Sequence, residues 1–218
     1  MSRLLSVLIA LGVLAGSGAA TAAPLVLGDN TLTGTTVALR PELAGLIVED
    51  LLVPYDFTGT GGEHVFGQVQ NRVVLSGVDG TYDFYWRIIP DPQSSGGITA
   101  LRLAGFGGLA LDGDFRTDGL GTVGPDIARV LSGGGVNFVF SGDGVGPNET
   151  SYFFFLDTQA TSYARVGVYD LLCAPSGCVS PSFATFAPVP EPGTCGLLGL
   201  GAGTLLLSRR KRSSAAVS

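Results

Sequence analysis

Lysine is almost absent from this sequence, and basic side chains of any kind are scarce over most of its length. The one lysine, Lys211, lies beside Arg209, Arg210 and Arg212 near the C-terminus. Between residues 23 and 187 the chain has seventeen acidic and seven basic residues, so this stretch carries a net charge of −10. A surface of that charge repels phosphate backbones, and the composition therefore disfavours nucleic-acid binding.

Histidine is equally scarce, since His64 is the one histidine of the chain. A Ser-His-Asp or Cys-His arrangement would have to be built around it, and no serine nearby lies in a Gly-x-Ser-x-Gly elbow. A zinc site needs three or four nitrogen and sulfur ligands at characteristic spacings, which the sequence does not offer. We therefore predict no enzyme activity and no cofactor, with His64 facing solvent at the entry to a strand.

The first 22 residues have the three parts of a secretory signal peptide. Arg3 supplies the basic start, Leu4 to Leu14 form an apolar core, and small residues follow up to Ala22. Cleavage is predicted between Ala22 and Ala23, because a cut one residue later would leave Pro24 at the first mature position. A retained N-terminal anchor is the alternative.

The last thirty residues contain three consecutive features. The first is an extended strip in which prolines fix the backbone and disfavour helix, formed by Val189, Pro190, Glu191 and Pro192. The second is an uncharged run from Thr194 to Ser208, which as a helix would span about 22 Å against a hydrocarbon core of about 30 Å. The third is the basic cluster of Arg209, Arg210, Lys211 and Arg212, which the positive-inside rule places on the cytoplasmic side.

This order of Pro-Glu-Pro strip, apolar helix and basic cluster resembles the PEP-CTERM sorting signal of Gram-negative bacteria, whose hallmark is Val-Pro-Glu-Pro. The resemblance covers about thirty of the 218 residues. It implies recognition by exosortase, an integral-membrane cysteine protease, and export in connection with exopolysaccharide production. Cys195 stands where a small or apolar residue is more usual, and either lipidation or burial would account for it. The alternative is an ordinary membrane anchor with a stiff proline spacer.

These two ends divide the chain into a signal peptide (1–22), a single domain (23–187) and a sorting tail (188–218). In the domain, glycine and proline separate short stretches rich in β-branched and aromatic residues, which indicates an all-β antiparallel sandwich, jelly-roll or immunoglobulin-like. From residue 65 onward, the predicted strands are Val65–Leu75, Tyr82–Ile89, Ile98–Leu103, Val136–Ser141, Tyr152–Leu156 and a last core strand from Ala164 to Leu172.

Local patterns also predict how three segments of the domain are arranged. Val65–Leu75 and Tyr82–Ile89 should form a hairpin around Asp79-Gly80, with Tyr82, Phe84, Trp86 and Ile88 on the core face and Asp83, Tyr85 and Arg87 on a wet face. Tyr152–Leu156 is apolar on both faces and should be a central strand. For Pro41–Val53 we favour a strand that Pro54 stops, and a helix with Pro41 in its first turn is the alternative.

Two cysteines, Cys173 and Cys178, fall within the domain. Export would place them in an oxidising compartment, where disulfides persist. Pro175 and Gly177 between them favour a turn that brings the two Cα atoms within the roughly 4.4 to 6.8 Å that a bridge requires. We expect a disulfide that contributes at most about 2 kcal/mol, because the loop it closes is short. A redox pair and two reduced thiols are the alternatives.

Two further groups are candidates for ligand binding. Asp112, Asp114 and Asp118 could offer oxygens to calcium, but Arg116 interrupts the pattern and no glutamate closes the loop, so this is a weak metal candidate. Tyr85, Tyr163 and Tyr169 fall on predicted outer faces, where an aromatic stripe could stack on sugar rings.

We therefore predict an exported β-sandwich protein with a C-terminal transmembrane helix and a structural or interaction role. The precursor would be anchored in the inner membrane, and the mature form would reside at the cell surface, the outer membrane or the extracellular matrix. Its partners would be exosortase and exopolysaccharide. The alternatives are a carbohydrate-binding module or carbohydrate-active enzyme, and a permanently membrane-anchored protein without sorting.

Overall fold

A computed structural model describes residues 24–175 and 177–189, which form two antiparallel β-sheets. The predicted signal peptide with Ala22 and Ala23, and the tail from Pro190 onward, lie outside the described residues. Within the described part of the chain, no helix is long and apolar enough to cross a membrane. The all-β prediction for the domain is confirmed.

Eleven strands make up the described fold. They are β1 (Gly28–Thr31), β2 (Gly45–Thr58), β3 (His64–Ser76), β4 (Tyr82–Pro90), β5 (Gly97–Ala104), β6 (Asp112–Arg116), β7 (Ile127–Val130), β8 (Val136–Val139), β9 (Phe153–Ala160), β10 (Tyr163–Ala174) and β11 (Phe183–Pro188). The five-stranded sheet has the order β2-β3-β4-β9-β6, and the six-stranded sheet has the order β1-β7-β8-β5-β10-β11.

The predicted hairpin is present as the pair β3 and β4. Its turn contains Asp79, whose carboxylate accepts hydrogen bonds from the Thr81 backbone N–H and hydroxyl, and Gly80, whose φ of +76° favours glycine. The strands predicted at 98–103, 136–141 and 152–156 are also present with shifted ends. The last of these, β9, lies between β4 and β6, so its prediction as an interior strand is confirmed.

The segment that begins at Pro41 contains both a short helical turn and a strand, the two structures considered for it from the sequence. A short 3₁₀ turn occupies Pro41–Leu43, and β2 then runs through Pro54 to Thr58. The prediction that Pro54 ends the strand is wrong. β2 lies at the edge of its sheet and has only β3 as a neighbour, so a residue without an N–H is tolerated there.

The main core lies between the two sheets and centres on Trp86. Its ring packs against Phe154 of its own sheet and against Phe138 of the other sheet, with ring centroids 6.3 Å and 6.4 Å away. The Trp86 Nε1–H donates to Thr185 Oγ1 at 2.9 Å, and the Thr185 hydroxyl donates to Asn71 Oδ1 at 2.8 Å. This buried relay joins β4 and β3 to β11 and satisfies polar groups that the core would otherwise leave unpaired.

A segment at residues 32–44, here called the strap, covers the outer face of the five-stranded sheet. It starts beside the edge strand β6, where the Thr35 N–H donates to the Phe115 carbonyl oxygen at 2.8 Å, and it ends where β2 begins at the opposite edge. Leu43 of the strap packs there against Tyr85, Phe153 and Phe155 of the sheet in a second apolar cluster. The prediction of a wet face on β4 is therefore wrong, because the strap replaces solvent there.

The end of the fold also differs from the prediction. β10 is followed by β11, so it is not the last strand of the described core. Its inward residues are Gly167 and Tyr169, whereas Val166 and Val168 are exposed. A register shift between Ala164 and Gly167 against β11 explains why Tyr169, which was predicted on an outer face, faces the core, since a bulge changes which side chains point inward.

Cys173 and Cys178 are joined by a disulfide at the end of β10, as the sequence predicted, with their Cα atoms 5.1 Å apart. The Cys173 N–H also donates to the Cys178 carbonyl oxygen at 3.0 Å. Both residues are buried. The bridge therefore closes a local turn and does not join distant elements.

Thr185→Val should destabilise the fold by about 1–3 kcal/mol, because the isosteric side chain leaves the Trp86 N–H and Asn71 Oδ1 buried without a partner. Urea unfolding monitored by Trp86 emission measures the change. Thr185→Ser is the matched control, since it keeps the hydroxyl and should lose less. Equal stability of the valine variant and the wild type would contradict this account.

Candidate functional site

The predicted sorting segment leaves the domain directly from its last strand. Val189, the first residue of the Val-Pro-Glu-Pro strip, donates its backbone N–H to the Ser162 carbonyl oxygen at 3.2 Å. The Ser162 hydroxyl in turn donates to the Val189 carbonyl oxygen at 2.9 Å. The remaining sorting residues fall outside the described residues, namely Pro190, Glu191, Pro192, Cys195 and the basic cluster at 209–212.

An aromatic group supports this exit point. Tyr163 pairs with Pro188 of β11 and packs against Tyr82 and Phe186, with ring centroids 4.7 Å and 5.9 Å away. Its hydroxyl donates to Glu49 Oε1 at 3.2 Å. Burial and the Glu49 carboxylate raise the pKa of Tyr163 above its ordinary value, so the phenol is protonated well beyond neutral pH. Because β11 ends at Pro188 and the strip begins at Val189, no linker separates the folded strand from the start of the strip.

The weak calcium candidates have protein partners in this structure. Asp112 Oδ1 accepts from Arg40 at 3.1 Å, and Asp114 Oδ1 accepts from the Gly34 N–H at 2.9 Å. Asp118 accepts from Arg116 at 2.9 Å and from the Val37 N–H at 2.8 Å. Gly34, Val37 and Arg40 all belong to the strap, so these three carboxylates attach it to β6 and the loop that follows. Across residues 24–175 and 177–189 no group of acidic, histidine or cysteine side chains is arranged to hold a metal ion.

The strap is held most firmly by Arg40, which is only 4% exposed. Its guanidinium donates to Glu42 at 2.9 Å, to Asp112 at 3.1 Å and to Asp157 at 2.7 Å, and it lies 5.2 Å from the centroid of the Phe155 ring. Burial opposes ionisation of this group, but the three carboxylates raise the pKa of Arg40 above its ordinary value. Sequence reasoning missed this cluster, since no local spacing brings Arg40 to Asp157.

A fourth carboxyl group, Asp83, lies beside this cluster and is 1% exposed. Neither of its oxygens makes a hydrogen bond of ordinary geometry. Burial and the nearby Asp157 carboxylate raise the pKa of Asp83 to about 9, so it is a neutral acid at pH 7. Burial likewise raises the pKa of Asp112 to about 6 and that of Asp157 above its ordinary range. This part of the sheet thus holds a proton in the folded state.

The histidine and the aromatic stripe predicted from the sequence have different outcomes. His64 is exposed at the start of β3, as predicted, with its Nε2 2.8 Å from Asp56 Oδ1. The predicted aromatic stripe is wrong, because Tyr85 and Tyr169 are 2% and 1% exposed. Tyr85 lies beneath the strap, and Tyr169 faces the core after the β10 bulge. Neither ring is accessible for stacking on a sugar.

A surface cavity of about 330 Å³ lies beside the strap, and the sequence did not indicate it. Ile47 and Leu120 form apolar walls, and Arg72 and Arg116 also line it. The Arg72 guanidinium lies 4.4 Å from the centroid of Phe153 and is paired with Asp50 at 2.8 Å. Because both arginines already have carboxylate partners, the cavity has little uncompensated positive charge.

Comparison with known proteins identifies the tail. The family model described as the PEP-CTERM protein-sorting motif matches residues 188–212. The chain therefore carries this sorting motif, and the resemblance noted in its sequence is confirmed. No curated protein and no solved structure matches the chain.

The buried acid group predicts a specific pH dependence. An unfolded aspartate loses its proton near pH 3.9, whereas folded Asp83 keeps it up to about pH 9, so the folded state binds more protons in between. The free energy of unfolding should therefore fall as pH rises from about 4 to about 9, by at most about 1.4 kcal/mol per pH unit for this group.

Asp83→Asn should make this fall shallower and stabilise the protein at pH 8, as measured by urea unfolding between pH 4 and 9. A residual fall between about pH 4 and 6 is expected from Asp112. Asp143→Asn, which changes an exposed carboxylate, is the control and should leave the slope as it is. An Asp83→Asn variant with the wild-type slope would show that Asp83 is ionised in the fold.

Proposed function

We propose that this protein is exported, that its precursor is held in the inner membrane by the tail, and that exosortase recognises and processes this tail. The mature β domain would then have a structural or interaction role at the cell surface or in the extracellular matrix, linked to exopolysaccharide. The observation that carries the proposal is the sorting-motif match at residues 188–212, which begins at the last residue of β11.

The sequence of both ends supports this route. The first 22 residues have the composition of a signal peptide, and the uncharged run from Thr194 to Ser208 is followed by four basic residues. Such a cluster stays on the cytoplasmic side, which leaves the β domain outside. An apolar helix of about 22 Å is short for a permanent anchor, which favours a processed tail.

The described domain supports a role in structure or interaction more than in catalysis. The exposed His64 ring is bonded to Asp56, and the neighbouring Ser95 hydroxyl is bonded to the His64 backbone, which is not the nucleophile–base hydrogen bond of a catalytic triad. Asp83, the carboxyl group whose pKa is raised to about 9, is 1% exposed and is therefore not accessible to a substrate. The carbohydrate-binding alternative was based on Tyr85, Tyr163 and Tyr169, and two of these rings are buried.

Glu191→Ala should prevent processing, because it removes the one carboxylate of the Pro-Glu-Pro strip that the enzyme would read. The wild type should lose its tail, whereas the variant should accumulate in the inner membrane at the mass of the uncut precursor. Cell fractionation with intact-mass measurement, in the native host with and without exosortase, tests this.

Glu149→Ala is the control for this experiment, since it removes an exposed glutamate from a loop of the domain. It should be processed like the wild type. Equal release of the Glu191→Ala variant and the wild type would contradict the proposal. A tail retained in both strains would favour the permanently anchored alternative.

A further inference from the structure

One end of the domain presents apolar side chains to solvent. We call it the apolar end and define it by Leu46, Val78, Tyr82 and Tyr163. Leu46 and Val78 are both 67% exposed, and the two tyrosines are half-buried. Large apolar side chains scattered singly on a surface need no explanation. These four, however, lie at the end of the domain from which the tail leaves.

Strand register brings these residues together. Leu46 of β2 pairs with Leu75 of β3, and Leu75 pairs with Tyr82 of β4, so the three lie on neighbouring strands at the same end of the sheet. Val78 lies in the turn that joins β3 to β4, beside the beginning of β2, where the Gly77 N–H donates to the Ala44 carbonyl oxygen at 3.1 Å. The ring of Tyr163 packs against Tyr82 from the other sheet.

The chain leaves the domain at this same end. Val189 is bonded to Ser162, the residue before Tyr163, so the exit point adjoins the apolar end. The uncharged run starts at Thr194, five residues after Val189. Because a residue spans at most about 3.6 Å, these five residues cover no more than about 18 Å. While the tail is in a bilayer, the exit point at Val189 must therefore lie within this distance of the apolar run.

Carboxylates are more numerous at the opposite end of the domain. That end carries Asp56, Glu63, Asp91 and Asp143, whereas the apolar end carries Asp79, next to Val78 in the turn, and Glu49, which accepts from Tyr163. Asp56 and Glu63 flank the turn between β2 and β3, the Asp91 N–H donates to the Phe66 carbonyl oxygen at 3.0 Å, and Asp143 lies beside Gly97 at the start of β5. Anionic lipid headgroups repel carboxylates, so this end is directed away from the membrane when the apolar end faces it.

We propose that the apolar end is a membrane-docking surface whose partner is the lipid bilayer itself. This inference rests on the proposed function, since it requires a precursor anchored by its tail. Leu46 and Val78 enter the headgroup region, and Tyr82 and Tyr163 lie at its edge, where amphipathic rings are favoured. Docking holds the Ser162–Val189 exit at the membrane surface, so that the Pro-Glu-Pro strip is presented at a constant depth.

The test uses the full-length precursor reconstituted into liposomes with and without brominated acyl chains, since bromine quenches tryptophan on contact. Val78→Trp places a reporter at the apolar end, and Gln93→Trp places a matched one in the exposed turn at the opposite end. The native Trp86 is 1% exposed and gives a constant background. We expect brominated lipid to reduce the emission of Val78→Trp and to leave that of Gln93→Trp unchanged.

A second variant distinguishes binding of the apolar side chains to the lipid from mere proximity caused by the tail. Leu46→Asp, combined with Val78→Trp, should abolish most of the quenching if the apolar side chains hold the domain on the lipid. Leu46 is mostly exposed, so its replacement leaves the core intact, and an unchanged Trp86 emission maximum in Leu46→Asp alone verifies this. Quenching that persists in the double variant would mean that the tail alone causes the proximity, and it would overturn the docking surface.

Two further outcomes also overturn the inference. If Val78→Trp is not quenched in liposomes but is shielded when exosortase is added, the surface binds a protein and not lipid. If the precursor does not float with the liposomes at all, the tail is not an anchor, and the proposed function fails together with the inference that rests on it. Flotation with no quenching of either reporter rejects the docking surface alone.

Discussion

The outer face of the five-stranded sheet depends on one buried cation, Arg40. Its guanidinium joins the strap to β6 through Asp112 and to β9 through Asp157. A buried guanidinium is tolerated only when its charge is compensated and its N–H groups have acceptors, and both conditions are met here. Removing Arg40 would leave carboxylates beneath the strap without their counter-charge, and the apolar cluster around Tyr85 and Phe155 would lose its cover.

The same cluster has more carboxyl groups than its cation can compensate. Asp83 has no cation of its own and lies next to Asp157, so the fold keeps a proton on it in place of a second positive charge. Residues 23–187 contain seventeen acidic and only seven basic residues, so few cations are available to pair with such a group. The acidity that disfavours nucleic-acid binding thus also makes the fold dependent on pH.

Short-range patterns predicted seven of the eleven described strands and the turn between β3 and β4, but not β1, β6, β7 or β11. Long-range packing could not be predicted from these patterns. The alternation from Tyr82 to Ile88 identified β4 and its core face, but not that the strap covers the other face. Pro54 in β2 and the bulge in β10 were misjudged because their cost depends on neighbouring strands, which the local sequence does not reveal. The sorting motif was recognisable because it is a linear signal, whereas the Arg40 cluster and the apolar end exist only in three dimensions.

The position of β11 has a mechanical consequence. It is the edge strand of its sheet and has β10 as its one neighbouring strand, and the tail continues from it without a linker. In a precursor anchored as proposed, a pull between the membrane and a partner of the domain is therefore applied to Val189 first. The hydrogen bonds to Ser162 would break before any contact of the core, and the six residues of β11 would then peel from β10 one pair at a time. The load that an anchored precursor could withstand is thus set by how firmly β11 is held, both by its pairing with β10 and by the buried hydrogen bonds of Thr185 to Trp86 and Asn71.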